Sequence, residues 1–141
     1  MPHPAAWTCP ACDRRFGRAD QSHMCAPAMS VDAWFAQRPE AYRRIYDAVI
    51  AHLETMGDVH VDAVDVGILI KRSRTFAELR PMRGRLALSV LLSRVVEHPR
   101  VTRTTRTSGS RAAHRIDLRD AADVDATVRA WLTESYHSSP V

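Results

Sequence analysis

The sequence predicts an α+β protein in which an antiparallel β-sheet carries N- and C-terminal helices on one face. Three observations predict this class. Residues 39–57 place apolar side chains three and four positions apart, which is the period of a helix. Residues 59–118 change to alternating and continuous apolar runs, which are typical of strands, and residues 120–136 return to the helical period. The connections between the strand-like runs are too short for helical crossovers, so we expect antiparallel pairing.

Length and composition set the bounds of this fold. The chain has 141 residues, of which 45% are hydrophobic and 26% charged, as in an average soluble globular protein with one domain and a small appendage. No apolar run approaches the roughly 20 residues that cross a bilayer, and the N-terminus lacks the pattern of a secretory signal. We therefore expect a cytoplasmic protein without a membrane partner. A reducing compartment disfavours disulfides.

The first predicted unit, residues 1–28, contains all three cysteines of the chain. Cys9 and Cys12 form a C-x-x-C pair, and His23 and Cys25 form an H-x-C pair ten residues later. Three thiolates and one imidazole complete the tetrahedral shell that a structural Zn²⁺ prefers, so these four residues are the predicted metal ligands of a small zinc knuckle or ribbon. His3 is an alternative fourth ligand. The competing interpretation is three incidental thiols near a chain end.

The second predicted unit, residues 29–141, begins after the small, turn-forming stretch "APAMS". Ser30 suits the N-cap of a short helix that runs from Val31 to about Ala36. A longer helix should begin near Pro39 and end at Gly57. Its predicted buried stripe consists of Tyr42, Ile45, Tyr46, Val49, Leu53 and Met56.

The strands follow this helix in an expected meander. The runs "VHVDAV", "VGILIK", "TFAEL", "RLALSVLL", "RVTRTTR" and "HRIDL" each read as one strand. A closing helix should be capped by Asp120, with Asp123 three residues later. Its predicted buried face consists of Val124, Val128, Trp131, Leu132 and Tyr136.

Three stretches of the chain resemble a known bacterial family. They are "AYRRIYDAVIAHLETMG", "GILIKRSRTFAELRPMRGRLALSVLL" and "HRIDLRDAADVDATVRAWLTESY". Residues 31–136 resemble domain of unknown function 5655 (DUF5655). The resemblance implies the sheet-and-helix fold and no catalytic chemistry. Some members of that family resemble this chain also in a short cysteine-rich N-terminal segment, which supports the zinc interpretation.

Charge is distributed unevenly along the chain. The net charge is +4, but residues 71–115 alone carry +10 and the remaining residues carry −6. Arginine grips phosphate with two parallel N–H groups, so this segregation favours a polyanion, above all nucleic acid. The predicted polyanion-binding residues are Lys71, Arg72, Arg74, Arg83, Arg85, Arg103, Arg106 and Arg111, on the open sheet face or its edge. The alternative is an ordinary solvated face.

Other candidate chemistry has plainer interpretations. The spacing of Asp58, Asp62 and Asp65 favours a solvated strand edge over a cation site. His98 and His114 lack an identifiable catalytic partner, so we expect both to be exposed. Aromatic residues on the helices, Trp34, Phe35 and Trp131, should be core residues and not a base-stacking platform.

These observations predict a zinc-binding, non-enzymatic module that recognises nucleic acid or another polyanion through its arginine-rich sheet region. The first alternative is an adaptor that docks a partner protein, which requires an exposed apolar patch. The second alternative is an enzyme or small-anion binder, which requires a concave site with convergent polar groups.

Overall fold

A computed structural model describes residues 7–10, 14–20 and 29–139 of the chain. Two short strands, β1 (Trp7–Thr8) and β2 (Arg15–Phe16), pair as an antiparallel hairpin. The helices are α1 (Val31–Phe35), α2 (Glu40–Glu54) and α3 (Ala126–Ser138), with a 3₁₀ turn at Ala121–Asp123. The main sheet consists of β3 (His60–Val64), β4 (Gly67–Lys71), β5 (Thr75–Met82), β6 (Arg85–Leu92), β7 (Val101–Ser108) and β8 (Arg111–Leu118). The predicted α+β class with an antiparallel sheet is confirmed.

The first two helices follow the sequence signals closely. Ser30 caps α1, and its hydroxyl accepts a hydrogen bond of 3.0 Å from the Ala33 N–H. In α2 the predicted stripe is buried, except that Met56 beyond the helix end is only partly buried. These helices therefore pack on the sheet through the face that their spacing predicts.

The start of the closing helix differs from the prediction. Asp120 and Asp123 form a capping box, but they cap the 3₁₀ turn and not the long helix. α3 begins at Ala126, and its cap is Asp125, whose carboxylate accepts from the Val128 N–H at 3.0 Å. The sequence contains two successive aspartate caps. Asp120 caps only the single 3₁₀ turn, and Asp125 then begins the long helix.

The predicted simple meander is wrong at its last step. The spatial order of the sheet is β3-β4-β5-β6-β8-β7, so β8 lies between β6 and β7. β8 buries every second residue, whereas seven of the eight residues of β7 are exposed. Only a strand with an apolar face gains from a central position, and a polar, threonine-rich strand suits an edge. Side-chain burial, not chain order, therefore decides which strand is interior.

All three helices pack on one face of the sheet. Ile68, Leu79, Leu88 and Ile116 line this face and are fully buried beneath the helices. Buried side-chain hydrogen bonds add to the apolar contacts: Trp34 Nε1 donates to the Val64 carbonyl at 2.8 Å. The predicted assignment of the helix aromatics to the core is confirmed, since Trp34, Phe35 and Trp131 are at most 7% exposed. The opposite sheet face is left for other contacts.

No helix in the described ranges is long and apolar enough to cross a membrane.

Candidate nucleic-acid interface

The open face of the sheet carries a row of polar side chains that crosses four adjacent strands. Glu78 pairs with Ser89, Ser89 with Arg115, and Arg115 with Arg103, each on the neighbouring strand. Side chains at directly opposite positions of adjacent strands lie on the same face. Ser89 and Arg115 are half-buried and Arg103 is exposed. The strands β7 and β8 thus present two guanidinium groups side by side to solvent.

A concavity of about 340 Å³ lies along this row. Its walls include Arg103, Arg115 and Thr105, and its floor includes Leu91 and Ala113. Glu78 is also present, but its carboxylate is bound by Arg80, with Nε 2.9 Å from Oε1. Within the described ranges, no salt bridge joins Arg103 or Arg115 to a carboxylate. The concavity therefore combines two uncompensated cations with a small apolar floor.

A β-bulge creates the juxtaposition of the two arginines. The turn pairs Ser108 with Arg111, but the register shifts between Arg106 and Ser108, so that Arg103 faces Arg115. Without that shift, regular pairing from the turn would place Arg103 opposite Ile116, on the helix side of the sheet. Like charges directly opposite each other destabilise a sheet. An anion bound between them would remove that repulsion.

Four of the eight predicted polyanion-binding residues are available at the surface. Arg74, Arg83, Arg103 and Arg106 are exposed, and none of them forms a salt bridge within the described part of the chain. Arg74 and Arg83 lie in the β4–β5 and β5–β6 turns, and Arg103 and Arg106 lie on the edge strand β7.

The other four residues have structural partners, so they are less available to a ligand than the first four. Lys71 is buried and paired with Asp62. Arg72 donates to the Tyr136 and Ser139 carbonyls, and Arg111 to the Ser138 carbonyl, so both secure the C-terminal end of α3. Arg85 is bound to Asp117, with Nε 3.2 Å from Oδ1.

Arg115 is the site residue that the sequence prediction missed. Its side chain alternates with the buried His114 and Ile116, and this alternation in "AHRID" predicts an open-face position for Arg115. Its opposition to Arg103 depends on the bulge, which has no comparable signal in the sequence.

The N-terminal hairpin holds the described part of the predicted metal site. Cys9 directly follows β1, is 4% exposed and packs against Phe16, with Trp7 beside them. The Cys9 N–H donates to the Arg14 carbonyl at 2.9 Å, which extends the hairpin pairing beyond β1 and β2. The predicted ligands Cys12, His23 and Cys25 lie outside the described residues. Among the residues that are described, no group of three or more His, Cys, Asp or Glu side chains could hold a metal ion.

A buried charge cluster joins the hairpin to the sheet. Lys71 Nζ lies 2.8 Å from Asp62 Oδ2 and donates to the Arg15 carbonyl of β2 at 2.7 Å. Lys71 Nζ also lies 4.5 Å from the Phe16 ring centroid. Asp62 further contacts His60, whose Nε2 is 2.8 Å from Oδ1, and Arg14, whose Nε is 3.7 Å from Oδ2.

The expectation that Asp62 is a solvated edge residue is therefore wrong, because it is 3% exposed. Burial acts to raise the pKa of the Asp62 carboxyl, but the hydrogen bonds from His60 and Lys71 and the Lys71 charge outweigh it. The pKa of Asp62 is thus held below its usual value.

The expectation that His114 is exposed is also wrong. His114 is 1% exposed, and its Nε2 accepts a hydrogen bond of 2.9 Å from the Val96 N–H. This bond holds the connection that carries the chain past β8 to the sheet edge. His98 is exposed as expected, and its ring lies edge-on to Trp131 with centroids 5.1 Å apart.

Residues 31–139 match the sequence model of the family described as Domain of unknown function (DUF5655). The matched range includes all three helices and the complete six-stranded sheet, and it begins after the hairpin. The resemblance inferred from the sequence is confirmed. No curated protein and no solved structure shows significant similarity to the chain.

Proposed function

The chain belongs to the DUF5655 family, and we propose that it is a binding module that recognises nucleic acid through the open face of its sheet. The observation that carries this proposal is the cross-strand pair of Arg103 and Arg115 in the 340 Å³ concavity. Two adjacent planar guanidiniums without carboxylate partners suit the phosphates of a nucleic-acid backbone, each of which shares one negative charge between two oxygens. Arg74, next to the concavity-lining Thr75, is a further exposed cation near this pair. Arg106 pairs with the buried Ala112 and therefore points to the helix side of the sheet.

The distribution of acidic residues supports the same face. Glu40, Asp47 and Glu54 lie exposed on α2, on the helix side of the sheet. Two of these carboxylates are paired on the helix itself, Glu40 with Arg44 and Asp47 with Arg43, so α2 has a net charge of −1. This helix therefore lacks the excess of unpaired cations that a polyanion needs, whereas the sheet side has one.

The mode of recognition follows from the described side chains that line the concavity. The residues that line the concavity include one aromatic residue, Phe76, and its ring is buried against Tyr136 on the helix side. Base stacking on an aromatic platform is thus not available there. Binding should depend on the phosphates, be largely independent of sequence, and weaken steeply with salt.

For the hairpin we propose a structural Zn²⁺ held by Cys9, Cys12, His23 and Cys25. The buried position of Cys9 at the mouth of the hairpin supports this ligand set, as does the small apolar cluster of Trp7 and Phe16. A cluster of that size contributes too little burial to order the hairpin by itself. The ion would supply folding free energy and leave no open coordination position for catalysis.

The adaptor alternative has less support. It requires a contiguous exposed apolar patch of several hundred Å². The exposed large apolar side chains among the described residues are Met29, Val66 and Val95. Three isolated side chains do not amount to such a patch, and the arginine pair has no role in that hypothesis.

Titration of the zinc-loaded protein with labelled single- and double-stranded DNA and RNA tests the proposed function. We expect micromolar or tighter binding at low salt, with log K falling linearly with log salt concentration. Zinc content is measured on the same sample. Absence of binding at low salt, with the hairpin metal-loaded, would refute the proposal.

A further inference from the structure

The hairpin and the sheet enclose a second concavity, the hairpin groove, of about 440 Å³. The described residues that line it include four cations and no carboxylate. The cations are Arg14 and Arg18 from the hairpin and Lys71 and Arg74 from β4 and the turn that follows it. The charged residues that line the Arg103–Arg115 concavity, by comparison, are two cations and one carboxylate, Glu78.

The four cations differ in their availability. Lys71 is committed to Asp62, and Arg14 lies between Asp62 and the Phe16 ring. Arg18 and Arg74 are exposed, and neither is in a salt bridge within the described residues. The guanidinium groups of Arg18 and Arg74 are therefore available to a ligand, whereas Lys71 and Arg14 are held by Asp62.

Close contact between the hairpin and the sheet brings these guanidiniums together. A Cβ atom at Gly17 would lie 3.0 Å from Arg74 Cγ and 3.4 Å from the Ser73 carbonyl oxygen. A side chain at this position would require Arg74 or the β4–β5 turn to shift by a few tenths of an ångström, so glycine favours the close approach of the hairpin. Arg18, the next residue, lines the same groove as Arg74.

The chemistry of the groove selects a phosphoryl group. Guanidinium forks bind phosphate oxygens in pairs, and the hydroxyl of Thr75 at the rim adds a further donor. Thr75 also lines the Arg103–Arg115 concavity, so the two concavities adjoin on the open face. A phosphate chain bound at one can continue into the other.

We propose that the hairpin groove is a phosphoryl-binding site, and that the nucleic acid on the open face extends into it. This inference rests on the proposed function. The phosphoryl group is either a backbone diester or a terminal monoester, which carries more negative charge.

Three double variants that each remove two positive charges test the inference. They are Arg18→Gln/Arg74→Gln in the groove, Arg103→Gln/Arg115→Gln in the first concavity, and the control Arg44→Gln/Arg129→Gln on the exposed surfaces of α2 and α3. Binding to a single-stranded oligonucleotide is measured between about 50 and 200 mM salt. The groove variant should flatten the slope of log K against log salt by roughly 1.4, since each single-strand phosphate contact contributes about 0.7.

A charge-preserving variant separates a bound phosphate from a general field effect. Arg18→Lys/Arg74→Lys keeps both charges but loses the guanidinium forks. We expect it to keep most of the salt slope and to bind more weakly than the wild type. Oligonucleotides with a 5′-phosphate and a 5′-hydroxyl identify the source. If the wild type prefers the 5′-phosphate and the groove variant does not, the groove binds a terminal monoester. If both oligonucleotides bind equally and the groove variant flattens the salt slope, the groove binds the backbone.

The two proposals fail differently. If the groove variant binds like the control while the Arg103/Arg115 variant is weakened, the groove inference is wrong and the proposed function stands. If the wild type does not bind nucleic acid at low salt, both the proposed function and the groove inference are wrong.

Discussion

Replacing Arg103 and Arg115 by glutamine should weaken nucleic-acid binding and at the same time stabilise the protein. The two side chains face each other across β7 and β8, and no carboxylate in the described part of the chain neutralises either. Their repulsion destabilises the unliganded sheet, whereas their combined charge attracts phosphate. A merely structural pair of arginines would behave in the opposite way.

The magnitudes follow from this geometry. Relief of a like-charge cross-strand pair is worth roughly 0.2–1 kcal/mol, which raises the melting temperature of a chain of this size by about 1–4 °C. The loss of two phosphate contacts reduces the salt slope by roughly 1.8 on duplex DNA and 1.4 on a single strand. The thermal gain should shrink as salt screens the repulsion.

Two measurements on one preparation check this prediction. Thermal unfolding at low and high salt gives the stability change, and fluorescence anisotropy over a salt series gives the slope. The Arg44→Gln/Arg129→Gln control, with the same loss of charge, should leave the salt slope unchanged. It should not raise the melting temperature, because Arg44 is paired with Glu40 and Arg129 donates to the Val124 carbonyl. A variant that melts below the wild type and binds with an unchanged slope would refute the reasoning.

Three further predictions concern the hairpin and its attachment. Asp62→Asn leaves the buried Lys71 ammonium without its counter-charge, so it should destabilise the protein by about 3 kcal/mol, or roughly 10 °C, in thermal unfolding. The exposed Asp58→Asn is the control, and an equal melting temperature for the two variants would contradict the buried pair. Because the pKa of Asp62 is lowered in the folded state, its contribution is present above the unfolded value near 3.9 and is lost as the pH falls below it. In acid unfolding followed by circular dichroism, the stability of Asp62→Asn should therefore depend less on pH below about pH 4 than that of the wild type. The same pH dependence in both proteins would contradict this. Cys12→Ser should abolish zinc binding and order in the hairpin while residues 29–139 still unfold cooperatively. Stoichiometric zinc in that variant, measured by elemental analysis, would exclude Cys12 as a ligand.

Features that depend on local patterns were predicted from the sequence. The apolar stripe of α2 and the Ser30 cap involve residues within a few positions of each other, so the chain itself specifies them. The existence of each main strand was likewise visible in residue alternation. The position of β8 between β6 and β7 is not visible in residue alternation, because it depends on which of two strands buries more apolar surface in the sheet.

The candidate site was predicted only in part, for a related reason. Composition located the positive charge, but it does not separate a guanidinium facing solvent from one bound to a carbonyl, as at Arg72 and Arg111. Arg103 faces Arg115 because of one bulge, which no residue pattern in β7 marks. The sequence does not reveal that Asp62 is buried, because its partner Lys71 lies on another strand and the hairpin that covers both residues is distant in the chain.

The most direct test of the central claim is an NMR titration of the isotopically labelled, zinc-loaded protein with a short oligonucleotide. The account predicts that backbone amide shifts concentrate on the open-face positions of β7 and β8, around Arg103, Thr105 and Arg115, while α2 stays unchanged. Shifts concentrated on α2 and α3, with β7 and β8 unaffected, would contradict it.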